Sequence, residues 1–130
     1  MADKPLPAAK NIALSADGDI VVVATRKNSF AHAESAEFNT IWNELSSTGC
    51  RRFVFDLSSC RFVSSEALGM MAACWKWCGE ESNGRMSVVL PVGEGGEVRN
   101  LFEITGLSRT IGAALQSSLQ DALNYLREFS

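Results

Sequence analysis

The sequence predicts an α/β domain: one mixed sheet of about five strands with about four α-helices. Three observations carry this. Short apolar, β-rich runs recur along the chain (IVVVAT, RFVFDL and MSVVL), as expected of strands covered on both faces. Between them lie stretches whose apolar residues return every three or four positions, the period of a helix. The two kinds of segment alternate, which implies a sheet with crossover helices.

In order, residues 1–10, rich in Pro, Ala and Lys, are expected to form a flexible N-terminal segment, and residues 11–130 the single domain. A short strand follows, then a two-residue turn at Asp17-Gly18 and a buried strand Ile20–Thr25. RKNSF, residues 26–30, is expected as a polar loop. From Ala33 to Ser47 the period is helical. Phe38, Ile41, Trp42 and Leu45 make one apolar stripe, Glu34, Glu37, Asn43 and Glu44 lie off it, and Thr48-Gly49 is a stop signal. Arg52–Leu57 is expected as a central strand, Ser58–Arg61 as a loop, and Phe62-Val63 as extended chain. The next helix runs to about Glu81 and ends at Ser82-Asn83-Gly84. In it Trp75 and Trp77 point about 200° apart, so at most one can share the innermost face. Met86–Leu90 is a buried strand closed by Pro91, and VGEGG is a flexible connection. Glu97–Ile104 is a short helix with Gly106 just beyond it, and Arg109–Gly112 reads as a short edge strand. Ser118, with Asp121 three residues on, caps a last helix whose buried stripe is Leu119, Ala122, Leu123 and Leu126.

The composition excludes several function classes. Hydrophobic residues make up 46% and charged residues 21% of the 130, a globular balance. With a net charge of −3 and no Lys or Arg run, nucleic acid and anionic membrane are not expected partners. No apolar stretch approaches the roughly 18–20 residues of a membrane span. MADKPLPAAK lacks a signal-peptide core, so the expected compartment is the cytoplasm.

Catalytic and metal motifs are sparse. Cys50, Cys60, Cys74 and Cys78 form no C-x-x-C pair. Cys74 and Cys78, four apart, would make half a metal site without evident further ligands, so reduced core thiols are expected and no metal or cofactor. His32 is the only histidine, which argues against a Ser–His or Cys–His nucleophile. Gly93, Gly95 and Gly96 fit neither phosphate-loop spacing, and Glu94 and Glu97 would repel a phosphate. Asp56 and Glu66 could be paired as acid and base, but nothing supplies a nucleophile or metal beside them. The chain is therefore expected not to be an enzyme.

Ser64 and Ser65 sit between an apolar strand and an apolar helix. Either is a natural N-cap. The same helix N-terminus also favours an anion, so a phosphoserine fits the geometry as well.

FVFDLSSCRFVSSEALGMM resembles the signature of the STAS family, the fold of bacterial anti-sigma factor antagonists. That signature runs strand, Asp-Leu-Ser, loop, aromatic-hydrophobic pair, Asp-Ser-Ser-Gly (or Ser-Ser-Ala-Gly), Leu-Gly. VRNLFEITGLSRTI is similar to the family's helix, Gly-Leu turn and last strand, and SLQDALNYL to its closing helix. The likeness spans roughly residues 11–127. It implies a single STAS-type domain acting as a non-enzymatic regulator that binds a kinase-type anti-sigma factor. By that resemblance Ser65 is the phosphorylated residue, with Ser64 second. The partner surface comprises Ser64, Ser65, Glu66 and Gly69, with Asn28 and Phe30 from the loop TRKNSFAHAE. Association with a second copy stays open.

Two other functions fit the same residues. One is a STAS interaction or scaffold module never phosphorylated at Ser65, favoured by Glu66 beside it and by the altered loop. The other is a small-ligand or nucleotide-binding domain, supported only by the glycines at 93–96.

Overall fold

The computed structural model describes residues 6–47, 52–80, 85–91 and 97–128. Thr48-Gly49, Cys50, Ser82-Asn83-Gly84 and the glycine connection at 93–96 lie outside them.

Strand β1 (Ile12–Asp17) pairs antiparallel with β2 (Ile20–Thr25), from Ile12 opposite Thr25 to Asp17 opposite Ile20. The hairpin loop is therefore Gly18-Asp19, one residue later than expected, because Asp17 still belongs to the ladder. Gly18 has φ 65°, a left-handed conformation that glycine adopts without steric cost. β2 then pairs in parallel with β4 (Arg52–Asp56), β4 with β6 (Arg85–Val89), and β6 with the short β7 (Leu115–Gln116). The order β1-β2-β4-β6-β7 is a five-stranded mixed sheet.

Alternation along the strands sorts side chains onto two faces. Val21, Val23, Phe53, Phe55, Met86 and Val88 point into a large apolar cluster. Helices α1 (His32–Ser47) and α2 (Ser65–Glu80) cover it with Phe38, Ile41, Leu45, Ala67, Met71 and Cys78. On the other face Ile20, Val22, Val54 and Val89 meet Ala122, Leu123 and Leu126 of α5 (Leu119–Arg127). Leu119, expected in that stripe, is 36% exposed. Phe55 is fully buried and meets Phe38 edge-on at 5.3 Å and Phe30 at 6.4 Å. Such pairs contribute about 0.5–1.5 kcal/mol beyond their buried area.

The edge strand expected at Arg109–Gly112 is instead a helix, α4 (Leu107–Ile111), after α3 (Glu97–Ile104). Gly106 between them, at φ 81°, ends one helix and lets the chain re-enter another. Leu107 and Ile111, four apart, are both buried on one face. That helical spacing outweighs the β-propensity of Thr110 and Ile111. The edge strand forms three residues later, at Leu115–Gln116.

The segment before β1 is held. Leu6 and Ala9 pack against the large cluster. The Glu37 carboxylate on α1 accepts the N–H groups of Lys10, Asn11 and Ile12 at 2.7, 2.7 and 2.8 Å. Burial raises this carboxyl. The three backbone donors and the charge of Arg26 outweigh it and hold the group below its ordinary 4.5.

Candidate functional site

At the end of β4 the Asp56 carboxylate accepts the Ser58 N–H at 3.0 Å and the Ser58 hydroxyl at 2.6 Å. Asp56 thus closes a turn, the structural role common to a carboxylate at a strand end. Cys60 donates its N–H to Leu57 O, and the chain turns into β5 (Phe62–Val63).

Here the structure departs from the expected polar loop. Ser29–Phe30 is a strand, β3, paired in parallel with β5 as Ser29 to Phe62 and Phe30 to Val63. Flanking bonds extend the ladder: Arg61 N–H to Asn28 O at 2.6 Å, and Ser64 N–H to Phe30 O at 3.0 Å. The two segments expected at a partner surface are therefore side by side. Phe30 needs a correction. Its side chain is fully buried against Phe55, so it supports this surface from below and is not on it. Asn28 is exposed.

The serine pair divides its work. Ser64 is the cap: its Oγ accepts the Ala67 N–H at 3.0 Å, and its carbonyl accepts the Leu68 N–H. Ser65, the first residue of α2, is exposed, and its hydroxyl makes no hydrogen bond among the described residues. Ala67, where the family pattern has Gly, is fully buried in the core. Glu66 is half exposed and its Oε1 lies 2.9 Å from Nδ1 of His32, the first residue of α1, whose side chain is 80% exposed. Gly69, one turn on, is exposed, and a Cβ added there would meet nothing within 4 Å. Ser64, Ser65, Glu66 and Gly69 thus follow β5 at the start of α2, and Asn28 stands beside Arg61 at the start of the paired segment. The partial positive charge at the start of α2 favours an anion there, against the repulsion of Glu66.

The neighbouring thiol is no nucleophile. Burial, then the charges of Asp56 and Glu34, push Cys60 up to about 12, so it stays protonated at neutral pH. Cys60, Cys74 and Cys78 are buried, and none forms a disulfide among the described residues. Among the described residues no group of three or more His, Cys, Asp or Glu stands close enough to hold a metal, and no helix is long and apolar enough to cross a membrane.

Beside the site runs an open groove of about 340 Å³ between α1 and α2, lined by Phe38, Trp42, Met70, Ala73 and Trp77 among others. Trp42 and Trp77 meet edge to face at 4.8 Å. Trp75 and Trp77 are both half-buried, so neither takes the innermost face alone. Two features here had no signal in the sequence, the His32–Glu66 contact and the 48% exposure of Phe62 just before the serines. Residues 34 apart share no local pattern.

Compared by sequence, the chain matches no family model and no curated protein. Compared by structure, it is similar to several solved domains. An anti-sigma factor antagonist from Mycobacterium paratuberculosis superposes with a TM-score of 0.72 at 23% identity, over 89% of this chain and 92% of that one. The Bacillus cell fate determinant SpoIIAA in its phosphorylated form gives 0.66 at 15% identity, over 89% and 99%. The anti-sigma factor antagonist SpoIIAA in its unphosphorylated form gives 0.61 at 14%, over 89% and 97%. The fold of this chain is the STAS fold.

Proposed function

We propose that this protein is a non-enzymatic regulator of the anti-sigma factor antagonist type, acting in the cytoplasm. It binds a kinase-type anti-sigma factor through the surface at the start of α2 and lets go when Ser65 is phosphorylated. One observation carries the reading: Ser64 does the capping, which leaves the Ser65 hydroxyl exposed and unbonded among the described residues. A hydroxyl engaged in the cap would have to leave the helix before it could be modified. In the transfer, the Ser65 Oγ takes the γ-phosphoryl group of ATP, ADP departs, and the hydroxyl proton passes to a base of the kinase. The added charge then faces a partner surface that must desolvate it. Repulsion and desolvation together cost about 3 kcal/mol, roughly a hundredfold in affinity.

The test has two parts. Phosphorylation is mapped on protein recovered from its native cells in growth and under stress, with phosphatases blocked. Affinity for the co-purifying anti-sigma factor is then measured for Ser65→Ala and Ser65→Asp. Phosphate on Ser65 that changes with condition, with Ser65→Asp weaker by about a hundredfold and Ser65→Ala unchanged, supports the switch. The exposed Glu66 favours a second reading, a scaffold module whose surface is already charged. Unmodified Ser65 in every condition, with Ser65→Asp binding normally, selects that reading.

A further inference from the structure

We propose that the outer edge of β1 is a self-association surface, on which a second copy of this chain adds its own β1 antiparallel about a two-fold axis and joins the two five-stranded sheets into one. The sheet ends in two different edges. On one side stands β7, only two residues long, and so short an edge strand offers a neighbour little to pair with. On the other, β1 runs six residues in unbroken register with β2. Between Ile12 and Ala16 it carries no charge, no proline and no bulge, the devices that keep an edge from pairing.

The register with β2 identifies the backbone groups on this edge. Arg26 donates its N–H to Asn11 O at the position that continues the β1–β2 register, so Asn11, Ala13, Ser15 and Asp17 turn their backbone groups toward β2. The residues between them, Ile12, Leu14 and Ala16, turn theirs outward. The Ile12 N–H is taken by Glu37. No hydrogen bond among the described residues reaches the outward N–H and C=O of Leu14 and Ala16. What such a row matches is an extended strand.

Glu37 also selects how a second copy fits. Its carboxylate fills the space outside Ile12, so an incoming strand can pair only with Leu14 and Ala16. One antiparallel register pairs Leu14 of each copy with Ala16 of the other. Each such pair exchanges both of its bonds, and the two-fold axis makes the pair twice. A slip of two residues one way drives Ala16 onto the Glu37 clamp. A slip the other way leaves Leu14 opposite Gly18, where the strand has ended. In the selected register Gly18, which has no side chain and has left the strand for its turn, comes opposite the clamp.

The side chains agree with this register. Leu14 meets Ala16 on the side of the large cluster, against which Leu14 already packs. The exposed Ser15 lands on the axis, opposite its own copy, with about 4.5 Å between Cα atoms. The carboxylates near the seam are already matched within their own chain, Asp17 by Arg127, Asp19 by Arg52 and Glu37 by backbone N–H groups. Asp19 of one copy comes opposite Asn11 of the other, beside the exposed Lys10. A second copy therefore closes the edge on itself, with opposite charges at the ends of the seam. The dimer uses no residue at the start of α2, so it stands or falls apart from the function proposed above.

Sedimentation equilibrium on the full chain, from about one micromolar to about one millimolar, tests it with no kinase or partner present. A monomer–dimer equilibrium is expected. Ser15→Lys and Ser15→Asp should each weaken the dimer about tenfold or more, because position 15 then sets like charges against each other across the axis. An equal mixture of the two variants should dimerise again, because opposite charges now meet there. Ala16→Pro removes an outward N–H without touching the β1–β2 ladder and should also weaken the dimer. Thermal unfolding checks that each variant is folded, and the exposed position 15 keeps the test open if the proline variant is not. A chain that stays monomeric at the highest concentration overturns the proposal. So does a dimer that ignores the changes at Ser15, or a mixture that associates no better than either variant alone.

Discussion

Helices α2 and α5 begin alike. In each, a serine just ahead of the helix accepts the N–H three residues on, Ser64 from Ala67 at 3.0 Å and Ser118 from Asp121 at 3.1 Å. Their surroundings differ. Ser118 is followed by Leu119, a partly exposed side chain that offers no chemistry. Ser64 is fixed by the β3–β5 ladder through Phe30 O and followed by a second hydroxyl that makes no hydrogen bond among the described residues. Beyond that stands a carboxylate tied to the start of α1. A serine cap alone is therefore no sign of a site. The candidate at α2 comes from a hydroxyl left over once the cap is made, on a helix start that strand pairing holds in place.

The comparison can be broken by mutation, and the largest effect is expected in the cores beneath. Met71 and Leu126 are fully buried, on opposite faces of the sheet. Met71→Ala and Leu126→Ala should each cost about 2–5 kcal/mol in urea unfolding. Below the transition, only Met71→Ala should also weaken partner binding, because it loosens α2. If Leu126→Ala weakens binding of the folded protein as much, the two helix starts are coupled and the contrast fails.

Removing the caps is the next test. Ser64→Ala and Ser118→Ala should each cost about 1 kcal/mol. Equal losses in stability with unequal losses in phosphorylation rate at Ser65 would sharpen the difference between the helices. Equal effects on both measurements would make the start of α2 only a cap.

The smallest effect concerns two carboxylates. Glu66 is exposed beside a histidine, while Glu37 grips three backbone N–H groups. The Glu37 pKa is held below its ordinary 4.5 in the fold, so its contribution is full above that value and fades as pH falls through the folded pKa. Amide protection factors at Asn11 and Ile12 should drop on acidification below pH 4.5. Glu37→Gln should lower them at neutral pH and remove that acid step. Protection that ignores both changes would mean the segment is held by Leu6 and Ala9 instead.

Much of this was legible in the sequence. The alternation of apolar runs and helical stripes yields the sheet and its main helices, because period 2 and period 3.6 are local properties. The Phe38, Ile41 and Leu45 stripe is buried, and Ser118 caps α5, as their spacing implies. Local pattern misled where two local preferences competed. Thr110 and Ile111 favour a strand by type, but Leu107 and Ile111 share a buried helical face. In the Asp-Gly turn, the strand ladder outlasted the turn signal by one residue.

The α/β class, the place of the serine pair between strand and helix, and the capping chemistry available there are all written in local sequence. Each depends on residues within a few positions of one another. Three-dimensional packing settles which serine caps, that RKNSF supplies a strand beside Phe62-Val63, that Phe30 is buried and Phe62 exposed, and that His32 meets Glu66. Those outcomes follow from packing α1 and α2 with the two-stranded β3–β5 ladder. The segments they join are some thirty residues apart, and no local rule of propensity or period relates residues at that distance.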